Sequence, residues 1–331
     1  MPIILGMILL GLGVAATATL TRLPEIKPFP APHPYAISPD GRTVVGGFSP
    51  ANGFRYDVGS GRLARFAPEG RAVYPNAVAN GGRIVAGVAE NAIVVVDGEV
   101  RDLRPMPGDA ASAASAVSAD GVAVVGYSQS ENGAYRAVRW KGRQMGLLGK
   151  VPGYVDMHAR GVARGGGVVI GGAYTPGKTV RAFLWTEMLG ARLLPVPKGT
   201  NESIAEAITP DARYAAGSAS SRTRTSAVRW TLAKGTVLRL ADIPGADSAS
   251  ALAIDPAGRF AVGYAGEKAV IWDATGRAIP LQSFLAARGV PAAGWSFEQV
   301  VGIGRRGARV VITGWGSFKG KGAGFVATFA G

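Results

Sequence analysis

Residues 116–128 read AVSADGVAVVGYS, and this stretch decides the fold because related stretches recur along the chain. Each copy opens on a small residue, turns at a short polar segment, and runs through apolar residues to a closing glycine. The copies begin at Ala36, Ala77, Ala116, Gly161, Ala207, Ala253 and Val301. The closing glycines are Gly46, Gly87, Gly126, Gly171, Gly217, Gly263 and Gly314. Successive closing glycines lie 41, 39, 45, 46, 46 and 51 residues apart, a spacing typical of propellers, solenoids and other repeat arrays.

Each copy of the repeat predicts four short antiparallel strands. In the copy at Ala116 these are a strand of small residues, a β-branched strand at 123–128, an alternating strand at 135–140 and a fourth strand at 144–148. Asp120 and Gly121 suit the first turn, because Asp hydrogen-bonds its own backbone and glycine adopts positive φ. Four strands every ~45 residues predict an all-β fold, a seven-bladed β-propeller with four-stranded blades.

Large aromatic residues recur at the end of the third strand, at Tyr56, Trp140, Trp185, Trp230 and Trp272. Because they occupy one slot of the repeat, we interpret them as packing between blades rather than as a sugar-stacking platform. The seventh copy ends at residues 325–329 without an outer strand, and residues 20–28 stand unused before the first copy. We therefore expect the N-terminal segment to supply the missing strand and close the ring. Residues 281–288 have helical spacing and form an insertion before the seventh copy.

Composition and the N-terminus bear on location. Residues 1–18 are apolar and uncharged and end in Ala16-Thr17-Ala18, which predicts a signal peptide or, alternatively, an uncleaved N-terminal membrane anchor. Residues 19–331 then form one propeller domain, which we expect to be a monomer that is secreted, periplasmic or at a bacterial cell surface. Cysteine is absent, which excludes disulfides and thiolate chemistry.

Three motifs resemble a known family. They are SADGVAVVG at 118–126, AVRW at 137–140 and LLGKVPG at 147–153, and residues 281–295 (LQSFLAARGVPAAGW) add a fourth point of likeness. Together they resemble the HAF-type extracellular repeat family of bacteria, over nearly the whole mature chain. The resemblance implies export and a propeller-like repeat, and it implies no catalytic residues.

The two histidines of the chain, His33 and His158, each lie three residues before the small residue that opens a copy. The sequence therefore predicts a ligand site in the loops at the mouth of an axial funnel. Its candidate residues are His33, Tyr35, Tyr74, Asp156, His158, Arg160 and Glu206. The alternative is that both histidines are ordinary loop residues. A metal site needs three or four convergent ligands, so neither a metal nor a cofactor is predicted.

The formal net charge of +14 favours binding of anionic polymers, or it reflects a solvated basic surface. Candidate residues for such binding are Arg222, Arg224, Arg305, Arg306, Lys319 and Lys321. We expect a non-enzymatic binding module for a protein or an anionic cell-envelope polysaccharide, with nucleic acid bound only non-specifically. The alternative is a hydrolase or lyase that acts on polysaccharide or phosphoester at the funnel, although no catalytic motif is present.

Overall fold

The computed structural model describes residues 18–49 and 52–331, and these form seven four-stranded antiparallel sheets arranged as blades in a ring. The seven-bladed β-propeller predicted from the repeat is thereby confirmed. The predicted signal peptide, residues 1–18, lies outside the described residues apart from Ala18, so that assignment stays a prediction.

The seventh blade combines both ends of the chain. Its strands are β26 (Trp295–Arg306), β27 (Arg309–Phe318), β28 (Lys321–Ala330) and, on the outside, β1 (Thr19–Arg22). The first blade consists of β2 (His33–Ile37), β3 (Thr43–Ser49), β4 (Asn52–Asp57) and β5 (Leu63–Phe66). The second consists of β6 (Tyr74–Val78), β7 (Ile84–Val88), β8 (Ala92–Val96) and β9 (Glu99–Asp102). The third consists of β10 (Asp109–Val117), β11 (Ala123–Ser130), β12 (Tyr135–Lys141) and β13 (Gln144–Leu147).

The remaining blades repeat this order from the axis outward. The fourth consists of β14 (Asp156–Val162), β15 (Val168–Tyr174), β16 (Val180–Thr186) and β17 (Gly190–Leu193). The fifth consists of β18 (Glu202–Ile208), β19 (Tyr214–Ser220), β20 (Thr225–Thr231) and β21 (Thr236–Arg239). The sixth consists of β22 (Ala249–Ile254), β23 (Ala261–Ala265), β24 (Lys268–Trp272) and β25 (Ala278–Pro280). The inner strands of the seventh are β26 (Trp295–Arg306), β27 (Arg309–Phe318) and β28 (Lys321–Ala330).

Short helical segments connect some strands. The predicted helix is confirmed as α1 (Leu281–Ala286), whose side chains Leu281, Phe284 and Leu285 are buried between the sixth and seventh blades. Single 3-10 turns lie at Pro68–Gly70, Asn80–Gly82 and Arg164–Gly166.

The propeller has two unlike faces, because neighbouring strands in a blade run in opposite directions. We call the end that carries the blade-to-blade connections and the turns between second and third strands the connection face. The opposite end carries the turns between first and second strands, and we call it the turn face. Asp40 and Asp120, in two of those turns, accept hydrogen bonds from the backbone of the next blade, Gly81 N–H at 2.7 Å and Gly165 N–H at 2.9 Å.

The third-strand aromatics pack between blades, as the repeat predicted. Tyr56, Trp140, Trp185, Trp230 and Trp272 are all buried, with exposed fractions of 8% or less. The indole N–H of Trp230 donates to the Pro195 carbonyl and that of Trp272 to the Ala241 carbonyl, both at 2.8 Å. Each acceptor lies just after the outer strand of the preceding blade, so one side chain supplies both apolar packing and a hydrogen bond between blades.

The N-terminal strand closes the ring, as predicted. β1 pairs antiparallel with β28, from Thr19 opposite Thr328 to Arg22 opposite Phe325. Directly after it, the Leu23 side chain is 1% exposed and packs with the first and seventh blades. On the turn face, the Arg305 N–H donates to the Pro39 carbonyl at 2.8 Å. Contacts between the first and seventh blades therefore stabilise the closed ring near both of its faces.

Candidate ligand-binding site

Every innermost strand contains a β-bulge, one extra residue inserted into one strand of a pair. In the fourth blade Ala159 pairs with Gly171 and Gly161 with Ile170, so Arg160 is the extra residue. The other blades shift register at the same point of the repeat. The extra residues form what we call the bulge ring: Tyr35, Asn76, Ser115, Arg160, Glu206, Leu252 and Val301. The seventh copy thus opens on Gly302 rather than on Val301.

The bulge explains why each copy closes on glycine. A Cβ atom on Gly126 would lie 1.9 Å from the carbonyl oxygen of Ala113, two residues before the bulged Ser115. The corresponding distance at the other closing glycines is 1.9 to 2.2 Å. None of the closing glycines has positive φ. Glycine is therefore required by close approach of the opposite strand and not by its own backbone conformation.

The bulge ring lines an axial channel with a volume of about 540 Å³. Beyond the ring come the small residues that open each copy and then β-branched side chains such as Val162 and Ile254. The channel continues toward the turn face, where Pro39 and Pro210 line both it and a second opening. We call the part between the connection face and the bulge ring, with the ring included, the funnel.

An ion pair lies in the funnel wall. Arg160 Nη1 donates to Glu206 Oε2 at 3.0 Å, and these two residues hold the bulge positions of adjacent blades. Burial alone would lower the pKa of Arg160, but the Glu206 carboxylate and the Tyr174 hydroxyl outweigh it and raise that pKa. Arg160 Nε is buried and has no hydrogen-bond partner among the described residues. The pair adds polarity to the wall and no net charge.

His158 lies among three tyrosine rings. Its ring centroid is 4.5 Å from that of Tyr135, 5.0 Å from that of Tyr127 and 5.2 Å from that of Tyr174. Burial, aided by the nearby charge of Arg160, lowers the pKa of His158 to about 4. The imidazole is therefore neutral at pH 7, and it lines the funnel together with Tyr127.

Acidification is expected to destabilise the fold through His158. The pKa is about 4 in the folded chain against 6.5 for a free imidazole, so the unfolded state takes up the proton first. The stability that neutral His158 provides is complete above pH 6.5 and falls as the pH approaches 4. Because the ring is partly exposed, we expect wild type to lose about 1 to 2 kcal/mol more than His158→Phe between pH 7 and pH 4.5. Urea unfolding at both pH values measures the difference, and equal losses would contradict it.

Of the other predicted tyrosines and carboxylates, Tyr35 is among the described residues that line the channel, whereas Tyr74 and Asp156 are not. Tyr35 belongs to the bulge ring, and burial, followed by the nearby Tyr74, raises the pKa of its hydroxyl. Asp156 is 7% exposed and accepts the Tyr135 N–H at 2.9 Å, so it holds the fourth blade to the third.

The structure does not bring the two histidines together. His33 occupies the register position of His158 in another blade, where it stacks on Trp315 of the seventh blade with centroids 4.5 Å apart. Both residues lie in strands rather than in loops. Among the described residues, no group of three or more His, Cys, Asp or Glu side chains is placed to hold a metal ion.

The basic candidates lie at opposite ends of the propeller. Arg222, Arg224, Lys319 and Lys321 lie at turns on the connection face, whereas Arg305 and Arg306 lie on the turn face. Arg224 pairs with Asp242 at 2.8 Å. Arg305 is 14% exposed and bonds the fully buried Asp255 through Nε at 2.6 Å and Nη2 at 3.0 Å. The six residues therefore do not form one patch, and the charge of Arg305 is already matched by a carboxylate.

Further basic residues lie on the outer strands. Exposed arginines stand on the outermost strand of four blades, at Arg65, Arg101, Arg192 and Arg239. Charged side chains on edge strands discourage pairing with other chains. Part of the net charge of +14 is thus distributed around the circumference, which favours the interpretation of a solvated basic surface.

Sequence reasoning identified Tyr35, Arg160 and Glu206 but missed four other members of the bulge ring. These are Asn76, Ser115, Leu252 and Val301, and Tyr127 on the funnel wall was missed as well. The signal that identifies the ring is the residue immediately before the small residue of each copy. Aligning the copies on that small residue brings the whole ring into one column.

Comparison with known proteins supports the fold. No protein-family model and no curated protein matches this chain. Among solved structures it is similar to TolB from Acinetobacter baumannii, with 15% identity and a TM-score of 0.50 over 76% of this chain and 63% of that one. It is also similar to oligogalacturonate lyase from Vibrio parahaemolyticus, with 11% identity and a TM-score of 0.61 over 93% of each chain. An oligogalacturonate lyase in complex with manganese gives 13% identity and a TM-score of 0.61 over 94% of this chain and 93% of that one.

At these identities the likeness concerns the propeller fold alone, and the chain spans less than two thirds of that TolB. A separate observation concerns membranes: the described residues include no helix with the length and apolar character needed to cross one.

Proposed function

We propose that this protein is an exported binding module of a bacterial cell envelope and that its ligand enters the funnel. The observation that carries the proposal is the composition of the bulge ring. In every copy the residue after the bulge is Ala or Gly, and the next residue is Val or Ile. The bulge position itself carries a different residue type in each blade, namely Tyr, Asn, Ser, Arg, Glu, Leu and Val.

Equivalent positions of the seven copies therefore behave differently, and this difference distinguishes positions that support the blades from positions that line the site. A position that packs in the same way in every blade keeps one residue type or a few similar ones, as the closing glycines and the third-strand aromatic residues do. The bulge-ring side chains line the channel, and their residue types differ from blade to blade. Such variety is expected if these side chains contact an asymmetric ligand. The axial channel, of which the funnel is the connection-face part, has a volume of about 540 Å³, within the range of roughly 300 to 1,000 Å³ that is typical of small-molecule sites. The channel therefore suits a small ligand, or the end of a polymer, that enters through the funnel.

The export part of the proposal is supported by sequence. The apolar segment 1–18 ends in Ala16-Thr17-Ala18, and the repeat motifs resemble the HAF-type extracellular repeat family. The net charge of +14 draws anionic envelope polymers and proteins toward the surface without regard to shape. In this proposal the funnel, and not the dispersed basic surface, supplies specificity.

A funnel-filling variant tests the proposal. Ser115→Tyr places a ring in the channel from the bulge position, as Tyr35 does in the first blade. The mature chain is screened against glycans, peptides and anionic polymers at 50 and 300 mM salt, and each hit is measured by calorimetry. We expect a ligand whose binding survives the higher salt and is weakened at least about tenfold by Ser115→Tyr, a loss of about 1.4 kcal/mol. Arg192→Ala, on an outer strand, removes a charge far from the funnel and is the matched control.

Two results would count against this assignment. Binding that disappears at 300 mM salt and is weakened by Arg222→Ala or Lys321→Ala, but not by Ser115→Tyr, would assign the activity to the basic surface. Turnover of a bound ligand that Ser115→Tyr abolishes would identify an enzyme with its site in the funnel, the alternative expected from the sequence.

A further inference from the structure

The lining of the axial channel at the bulge ring carries no net charge, although the protein carries a net charge of +14. Among the described residues that line the channel, Arg160 and Glu206 are the only Lys, Arg, Asp or Glu side chains, and they neutralise each other at 3.0 Å. A full anion placed beside this pair meets the Glu206 carboxylate, and a full cation meets the Arg160 guanidinium. The opposite charges of the pair nearly cancel for an approaching ion, so neither an anion nor a cation gains the attraction needed to offset the loss of its hydration.

The same side of the ring is rich in hydrogen-bonding groups. A guanidinium carries five N–H donors and a carboxylate about four acceptor sites, so the mutual bond leaves both with unused capacity. Asn76 Nδ2 donates to the Ala114 carbonyl at 2.9 Å, which leaves its amide oxygen as an acceptor. The Ser115 hydroxyl both donates and accepts. Blades two to five therefore present both hydrogen-bond donors and hydrogen-bond acceptors. This arrangement suits a ligand with neighbouring hydroxyl groups, because each hydroxyl group both donates and accepts a hydrogen bond.

The remaining lining is aromatic or aliphatic. Tyr35, Tyr127 and His158 supply rings, and Leu252 and Val301 supply aliphatic surface in blades six and seven. Aromatic side chains with a polar edge suit ligands that are apolar on one side and wet on the other. A pyranose ring has this character, with C–H groups on its faces and hydroxyl groups around its edge.

We infer that the funnel binds a neutral saccharide, whose hydroxyl groups share the Arg160–Glu206 pair with the Asn76 and Ser115 side chains, and whose C–H surface packs on the rings and aliphatic side chains. This inference rests on the proposed function and adds the chemical class of the ligand. An anionic polysaccharide attracted by the surface charge would then be held in the funnel, if at all, only through an uncharged sugar unit.

Charge variants of the pair provide the test. The probes are the methyl glycosides of glucose, galactose and mannose, the corresponding uronic acids and 2-amino sugars, and leucine as a zwitterion. Titration calorimetry on wild type is expected to show at least one neutral glycoside bound about tenfold or more tighter than its charged counterparts, with an affinity unchanged between 50 and 300 mM salt. Glu206→Gln leaves a net positive funnel and is expected to shift preference toward the uronic acid about tenfold. Arg160→Gln is expected to shift it toward the amino sugar to a similar extent.

A double variant guards against misfolding as the cause of any change. Arg160→Glu combined with Glu206→Arg keeps a neutral pair, so preference for the neutral glycoside over both charged sugars is expected to return. Arg192→Gln, which lies outside the funnel, is expected to leave the preference unchanged.

Each contrary result has a distinct meaning. A wild-type preference for the uronic acid, the amino sugar or leucine, or failure of every neutral glycoside to bind, would overturn the saccharide inference. If a different ligand then binds and Ser115→Tyr blocks its binding, the proposed function stands and only the saccharide inference is wrong. If the glycosides bind and Ser115→Tyr leaves their affinity unchanged, both the saccharide inference and the proposed function are contradicted.

Discussion

Gly126→Ala is expected to destabilise the whole propeller, by roughly 3 kcal/mol or more. The new methyl group would lie 1.9 Å from the Ala113 carbonyl oxygen, and both atoms belong to paired strands near the axis. Relief of that contact requires the β10–β11 pair to separate or the bulge at Ser115 to flatten. Either change displaces the small residue Ala116 from the centre of the ring. Thermal and urea unfolding of the purified variant measure the loss.

Gly146→Ala in the same blade is the matched control. Gly146 lies in β13, has no positive φ, and a Cβ atom there would meet nothing within 4 Å. Its replacement is expected to change stability by less than about 0.5 kcal/mol. Equal effects of the two substitutions would mean that the closing glycines serve something other than the bulge.

Deletion of residues 19–28 is expected to lower the melting temperature by about 10 °C. An unfolding entropy of roughly 2.1 cal/mol/K per residue makes 1 kcal/mol worth about 1.5 °C in a propeller of this length, so the expected loss of stability is about 6 to 7 kcal/mol. The deletion removes β1, leaves the hydrogen-bonding edge of β28 unpaired, and takes Leu23 from its buried position beside the first and seventh blades. An unpaired edge also promotes association between chains, so the shortened protein is expected to aggregate on heating.

The reference for this deletion is a chain that begins at Ala18. Supplying residues 18–28 as a separate peptide is expected to restore part of the lost stability in a concentration-dependent manner. An unchanged melting temperature in the deletion variant would show that the other six blades and the remaining three strands of the seventh close the ring unaided.

The fold could be predicted from sequence because its determinants are local and repeated. Turn chemistry at Asp120 and Gly121, β-branched strands and a recurrent tryptophan each identify a blade without knowledge of distant contacts. Closure could be predicted by elimination, because the seventh copy lacked an outer strand and residues 20–28 had no other place in the repeat.

The site was less accessible to sequence reasoning, for a physical reason. A bulge adds one residue to the inner strand but shifts only its pairing with the next strand, so the motif looks regular and Ser115 appears to be an ordinary strand residue. Pairing of Arg305 with Asp255 joins residues fifty apart and depends on the geometry between blades. A basic residue that seemed free in the sequence is therefore part of a buried ion pair in the structure.

Both ends of the described chain leave the propeller on the turn face. β1 begins at Thr19, opposite Thr328, and β28 ends at Ala330, next to the turn between β26 and β27. An anchor, a fusion partner or a solid support attached at either end therefore lies on the side away from the funnel. Molecules immobilised in this way would all present their funnels outward, and several on one surface could engage a multivalent ligand together, so that weak single contacts add up to firm adhesion.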